Sequence, residues 1–437
     1  MAEVLTAGPG AAFTAEAAER LAARAPGWLA ERRLAAWRVY EETPFPTTQL
    51  EEWRYTDIER LALDAVRPAG ADDGPAGVPD AARGLLDGKA AAGRVVQAGA
   101  HVAAIELDDA LAARGVLLLD LERAAAERAG LVEPFLYRAV PAEAGKFAAL
   151  NAALWTAGLF LYVPRGVRLE APVRIVRWLD GPGIAVFPRT LVVADEGSHL
   201  ALVEEFVSPD LEAPALSCGA VEVFARQGAD VQYVALQRWG LGVRHLSVQR
   251  TIAERDANLD TLVVNLGASV ARVDLAARLE GPGARSDMLG LYFGRDHQHF
   301  DHNTRQDHVV PHASSDLLYK GALYDAAHAV FRGLIKVYPK AQRTDAYQQN
   351  RNLLLSPEAR AESLPNLEIE ADDVRCSHGA TVGHLDEEEL FYLMSRGLPR
   401  RAAERLVVFG FFGEVLERLP LPGVVEELRA AIEAQLR

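Results

Sequence analysis

A repeat of near-constant length sets the tightest limit on what this chain can fold into. Six segments share one plan: EGSHLALV from Glu196, QGADVQYV from Gln227, RDANLDTLV from Arg255, PGARSDML from Pro282, PHASSDLL from Pro311 and PKAQRTDA from Pro339. Their pivots are Gly197, Gly228, Asp256, Gly283, His312 and Lys340, spaced 31, 28, 27, 29 and 28 residues apart. A small residue follows each pivot: Ser198, Ala229, Ala257, Ala284, Ala313 and Ala341. The sixth residue after each pivot is apolar: Val203, Val234, Leu262, Leu289, Leu318 and Ala346. Self-similarity at a fixed period marks a solenoid, in which stacked units share one continuous core. The units are short runs of alternating apolar and polar residues broken by Gly and Pro, which is a strand pattern rather than a helical one. The expected core is therefore a β-helix or comparable stacked-strand structure, with the repeated apolar positions pointing inward. The alternative is an antiparallel meander with chance spacing. The six-residue period of left-handed hexapeptide helices is absent.

The flanks read differently. Residues 1–94 form an N-terminal helical region with an Ala/Gly/Pro-rich linker at about 65–93, and Thr14 is placed to cap its first helix. Residues 95–154 are a mixed α/β lead-in, 155–356 the β-helix core, and 357–437 the last strands with a C-terminal helical domain. There Asp386 precedes EEELFYLMSR, Gly397 follows it, and Pro399 opens RRAAERLVVFGFFGEVLERL, which Pro420 and Pro422 end. Leu406, Phe409, Phe412, Val415 and Leu416 make an apolar stripe on this second helix. The tail serves either to cap the solenoid end or to dock a partner.

Charge and cysteine count exclude several functions. The formal net charge is −15, from 46 basic and 61 acidic side chains. Such a surface repels phosphate backbones and anionic membranes, so neither nucleic acid nor lipid is an expected partner. The two cysteines, Cys218 and Cys376, cannot supply a disulfide framework or a complete four-thiolate metal cage. The start MAEVLTAGPGAAF lacks the basic and apolar regions of a signal peptide, and no stretch approaches ~20 apolar residues, so the expected location is cytoplasmic. No Walker sequence, dinucleotide fingerprint or nucleophile elbow occurs, which argues against ATP hydrolysis by this chain.

Two clusters carry candidate chemistry. In DDVRCSHGAT, Cys376 and His378 stand two apart, so an extended strand turns both to one face. A thiolate beside an imidazole suits iron or zinc, or a nucleophilic pair, and the plain alternative is a buried cysteine near a surface histidine. The second cluster, His297, His299 and His302 followed by Asp307, His308 and His312, has the look of a cupin-like metal site. Its plain alternative is a set of polar positions hydrogen-bonded along a stack. Cys218 has no motif and reads as core. A β-helix polysaccharide enzyme is a further alternative, which would need carboxylates stacked on one solenoid face.

The segment DDVRCSHGATVGHLDEEELFYLMSRGL, Asp372–Leu398, resembles the C-terminal signature of the SufB/SufD family, the scaffold of the SUF iron–sulfur cluster assembly system. EEWRYTD at Glu51–Asp57, KFAALNAALWTAGLFLYVPRGVRLEAPVRI at Lys146–Ile175 and RTDAYQQNRNLLLSPEARAESLPNLEIEADDVRCSHG resemble three further stretches of the same family. The form CSHGAT is similar to the SufD branch. The resemblance implies a right-handed parallel β-helix between N- and C-terminal α-helical domains. It implies pairing with a SufB-like subunit through the β-helix and docking of the SufC ATPase on the C-terminal helices, with ATP bound by that partner. It also implies a transient iron–sulfur cluster shared with SufB at the interface, with His378 and Cys376 as assembly residues and His378 as a transient iron ligand. A flavin in the complex and a homodimer of the chain alone belong to the same set of implications.

Overall fold

The computed structural model describes residues 10–70, 73, 77–419 and 421–435. The first nine residues of the leader reading, part of the linker and the helix stop at Pro420 lie outside them. The architecture is mainly β: a parallel β-solenoid of about eight turns with helices at both ends of the chain. Each coil gives one strand to each of two sheets, so hydrogen-bonded neighbours are next-but-one in sequence. The first sheet runs through Val243–Ala253, Val270–Leu279, His299–His308 and His328–Val337 to Arg360–Ile369, and the second through Arg285–Gly294, Ser314–Leu323 and Asp345–Leu354 to Arg375–His384.

The repeat pivots are the turns that enter the second sheet. Gly197, Gly228, Asp256, Gly283 and His312 all take left-handed backbone, with φ of 64°, 66°, 55°, 78° and 62°. That conformation favours glycine and tolerates Asp, which accounts for most of the pivot residues. The sixth pivot is displaced. The left-handed residue is Arg343 (φ 58°), not Lys340, and Ser314 pairs with Asp345. The last turn therefore holds three extra residues. Ala341 and Ala346 are small and buried, whereas the true counterparts are Thr344 and Gln349, which is why the segment aligns in the wrong phase.

The repeated apolar column is real but faces the other way. Val203, Val234, Leu262, Leu289 and Leu318 stand side by side on successive strands, and the sixth member is Gln349 rather than Ala346. They lie on the outer face, where Val408, Phe412, Val415 and Leu416 of helix Arg400–Glu417 and Val424, Leu428 and Ile432 of helix Pro422–Gln435 cover them. The bore is filled by the alternate residues, among them Leu202, Tyr233, Val263, Met288 and Leu317. A strand buried on both faces carries apolar residues on both, so the pattern does not say which face is inside. The C-terminal helices thus clad the solenoid's flank and do not cap its end. Arg418 ties them down through Asp287 (3.0 Å) and Asp316 (3.2 Å).

Two glycines set the packing in the bore. Gly290 pairs with Tyr319, and Tyr292 with Gly321. A methyl group on either glycine would run into the partner's ring. Each ring therefore lies over a position with no side chain. Gly321→Ala is expected to destabilise the protein by about 1–3 kcal/mol through overpacking. Urea unfolding checks this; a midpoint equal to wild type would contradict the interlock.

At the other end, helices Ala15–Ala22, Gly27–Glu42 and Lys146–Leu154 pack on the outer face of the first sheet's early coils. Cys218 is part of that contact. It is buried, and its thiol, 3.6 Å from the Phe147 carbonyl, is pushed up to about 12 by burial, so it is an inert core residue.

Candidate functional site at the open end of the solenoid

Both sheets stop on a strand with one unpaired side. Among the described residues, Arg360–Ile369 pairs only with His328–Val337, and Arg375–His384 only with Asp345–Leu354. Such edges present rows of free N–H and C=O groups, which proteins normally blunt. Pro365 removes one donor from the first edge. The second edge contains no proline and keeps its full set.

This second edge carries Cys376 and His378. Cys376 pairs with Ala346, and His378 with the fully buried Gln348. The pair therefore sits on the bore-facing side of the last strand, about 6.6 Å apart along it. No further coil covers them. His378 is exposed, while Cys376 is half-buried against the cluster of Ile335, Val337, Ala341, Ala346 and Ala371. Burial, and then the nearby Asp345 carboxylate, raise the Cys376 thiol above its ordinary value. The thiol stays protonated at neutral pH, so iron binding there must displace the proton. Two donors on an edge leave most of a metal's coordination to be filled from elsewhere.

The histidine cluster does not converge, which corrects the cupin-like expectation. His297 is exposed in a turn. His299 faces outward and lies 2.8 Å from Thr56 Oγ1. His302 faces the bore, stacked on Tyr292 at 4.6 Å with Asn265 at 2.7 Å. Among the described residues no three His, Cys, Asp or Glu side chains come together as a metal site. Carboxylates do stack at Asp260, Asp287 and Asp316, as a polysaccharide enzyme would need. Arg418 holds two of the three in ion pairs, which makes them a docking feature.

Two features became visible only in three dimensions. The EEWRYTD segment straps the outer face of the first sheet. Glu51 bonds Arg332 at 2.7 Å, Trp53 stacks on Arg272 at 3.9 Å, and Thr56 donates to Asp301 at 2.5 Å. The second is helix Glu387–Ser395, capped by the Asp386 side chain, which accepts from Glu388 N–H at 2.8 Å. It leaves Phe391 74% and Tyr392 58% exposed, whereas Phe412 of the apolar stripe is core. Leu406, placed in that stripe by its spacing, is exposed. The signal for the exposed pair was in EEELFYLM: adjacent aromatics sit about 100° apart on a helix and cannot share one narrow buried stripe.

These features define a class: a β-solenoid scaffold clad by helices on its flanks, with a pairing-competent end that presents a thiol and an imidazole. Residues 177–411 match the family described as "SUF system FeS cluster assembly, SufBD core domain", and residues 95–175 match the SufBD protein N-terminal region. The chain is 31% identical over 420 residues to the iron–sulfur cluster assembly protein SufD of Bacillus subtilis, covering 94% of this chain and 95% of that protein. It is 28% identical over 413 residues to an iron–sulfur cluster assembly SufBD family protein of Staphylococcus haemolyticus, covering 92% and 88%. The chain belongs to the SufB/SufD family and is SufD-like, with a role in iron–sulfur cluster assembly. No helix among the described residues is long and apolar enough to cross a membrane.

Proposed function

We propose that this chain is the SufD-like scaffold subunit of a cytoplasmic SUF complex, and that its open end forms the cluster-assembly interface with a SufB-like subunit. One observation carries the reading: the edge strand Arg375–His384 is free to pair and holds Cys376 and His378 on its bore side. A partner strand added to that edge satisfies its backbone groups and brings further ligands to the same place. The iron and sulfide assembled there are cargo of the complex. His378 acts as a transient iron ligand, since a neutral imidazole binds iron well enough to hold it and releases it more readily than thiolate. Cys376 contributes a second donor once its proton is displaced.

The SufC-type ATPase docks on helix Glu387–Ser395 through Phe391 and Tyr392, and ATP is hydrolysed on that partner. Only Leu385 and Asp386 separate this helix from the edge strand ending at His384. Helices Arg400–Glu417 and Pro422–Gln435 are fixed to the flank by their core, so a pull from the ATPase reaches the edge strand through this short link. No residue of this chain is assigned to the flavin associated with such complexes. A homodimer through the same edge is the expected state without SufB.

His378→Ala is expected to lower cluster formation by the full complex at least about tenfold. Because His378 is exposed, stability should stay within about 0.5 kcal/mol of wild type. Assembly at the wild-type rate, read as iron-to-sulfide charge-transfer absorbance, would sink the role. Phe391→Asp with Tyr392→Asp should abolish co-purification of the ATPase and leave SufB pairing intact. Retention of the ATPase by that variant would place its docking site elsewhere.

A further inference from the structure

We propose that an arginine-lined groove on the outer face of the first sheet binds the phosphate or pyrophosphate group of a small molecule. The groove encloses about 260 Å³ and brings Arg138, Arg250, Arg278 and Arg305 around Ala276. Arg250, Arg278 and Arg305 come from three successive coils, and Arg138 overhangs them from the segment before helix Lys146–Leu154. Register makes the opening. Ala276 pairs with Arg250 on one side and Arg305 on the other. The two arginines therefore stand two strands apart, about 9.6 Å, over a floor with one methyl group.

Each guanidinium is partly held. Arg138 and Arg278 share Glu280 at 3.0 and 2.8 Å. Arg305 reaches Asp307 through Nε at 2.7 Å, and Arg250 reaches Asp274 at 2.9 Å. Arg250 also gives Nη1 to the Gln249 and Asp274 carbonyls at 2.9 and 2.7 Å, and Arg305 gives Nη2 to the Tyr338 hydroxyl at 3.4 Å. Four guanidinium groups thus face three carboxylates in a chain whose net charge is −15. The carboxylates fix the planes of the forks, and a guanidinium carries five N–H donors, more than these contacts use. Forks oriented in this way match the tetrahedral oxygens of phosphate in a bidentate manner that lysine cannot copy. The size selects the ligand class: the groove admits a phosphate or pyrophosphate and leaves the rest of a larger molecule outside.

Calorimetric titration of the full chain with inorganic pyrophosphate at low ionic strength tests the proposal. Binding at sub-millimolar concentration is expected, weakened at least tenfold in Arg278→Ala and clearly weakened in Arg278→Lys. Ala276→Leu, which fills the floor without changing charge, should weaken it similarly and covers the case of an arginine variant that does not fold. Arg165→Ala, in a turn outside the groove, should leave binding unchanged. No binding at millimolar pyrophosphate, binding that survives both Arg278→Ala and Ala276→Leu, or equal loss in Arg165→Ala would overturn the site. Vesicles bearing phosphatidic acid separate the two sources of the group. Groove-dependent binding of pyrophosphate without vesicle pelleting supports a free phosphate compound, and groove-dependent pelleting supports a lipid headgroup.

Discussion

Stability is expected to collapse as the pH falls from about 6.5 to 4, by up to about 5 kcal/mol per pH unit. Four buried histidines cause it. Burial lowers His245 and His299 to about 3, and His302 and His308 to about 4. Their contacts agree with neutral rings. The Trp239 indole N–H donates to His245 Nδ1 at 3.1 Å, which leaves no room there for a proton. Nδ1 of His299 and His308 has no partner that could take a second N–H, and His302 Nε2 accepts from the Asn265 amide at 2.7 Å, which leaves no room there for a proton. The unfolded chain protonates its histidines near 6.5. Between that pH and about 3–4 the unfolded state binds more protons than the folded one, so stability rises with pH across the window and is lost on acidification. Each such histidine contributes about 1.4 kcal/mol per pH unit. Urea unfolding at pH 7, 6 and 5 measures the slope. His302→Gln should reduce it by about one histidine's worth. A flat profile over this range would contradict neutral burial of the four rings.

Glu222→Ala is expected to destabilise the protein by about 3–5 kcal/mol. Glu222 and Arg189 are both fully buried and joined at 2.6 Å. The same carboxylate accepts from the backbone N–H of Tyr137 (3.1 Å), Ala139 (3.0 Å) and Val140 (3.0 Å). It thus fixes the segment before helix Lys146–Leu154 to the first sheet. Alanine leaves the buried Arg189 cation without its counter-charge and the N–H groups of Tyr137, Ala139 and Val140 without their acceptor. Glu222→Gln keeps part of the hydrogen bonding and should cost less. Glu222→Leu combined with Arg189→Met removes both charges and should be milder than Glu222→Ala, because no buried charge is left unpaired. A Glu222→Ala unfolding midpoint like that of wild type would show that the N-terminal segment is held some other way.

The sequence carried the solenoid because its turns have strict backbone needs. A left-handed residue recurs before six successive strands of the second sheet, from His199–Val207 to Asp345–Leu354, and glycine or aspartate marks most of those places. The period broke at Arg343, where arginine does not advertise the conformation and three extra residues shift the phase. Cys376 and His378 were legible as a pair, since alternation alone puts them on one face. Their being at the end of the bore was not, because that depends on which strand is the last to be paired. His297, His299 and His302 looked like a metal cluster for the opposite reason. Proximity in sequence concealed a turn, an outer face and an inner face.

The sequence by itself determined that the chain is a stacked-strand solenoid with helical ends, and that its two thiols cannot hold a cluster without outside ligands. Those conclusions rest on local rules: turn geometry, strand alternation and ligand count. Tertiary structure alone decided which face of the repeated column is inside. Strands buried on both faces are apolar on both, and only the docking of helices Arg400–Glu417 and Pro422–Gln435 makes the column of Val234 and Leu262 an outer one. It also decided that the solenoid ends uncapped, with free backbone donors beside Cys376 and His378. An edge is defined by the absence of a neighbouring strand, and no residue pattern within the strand records that absence.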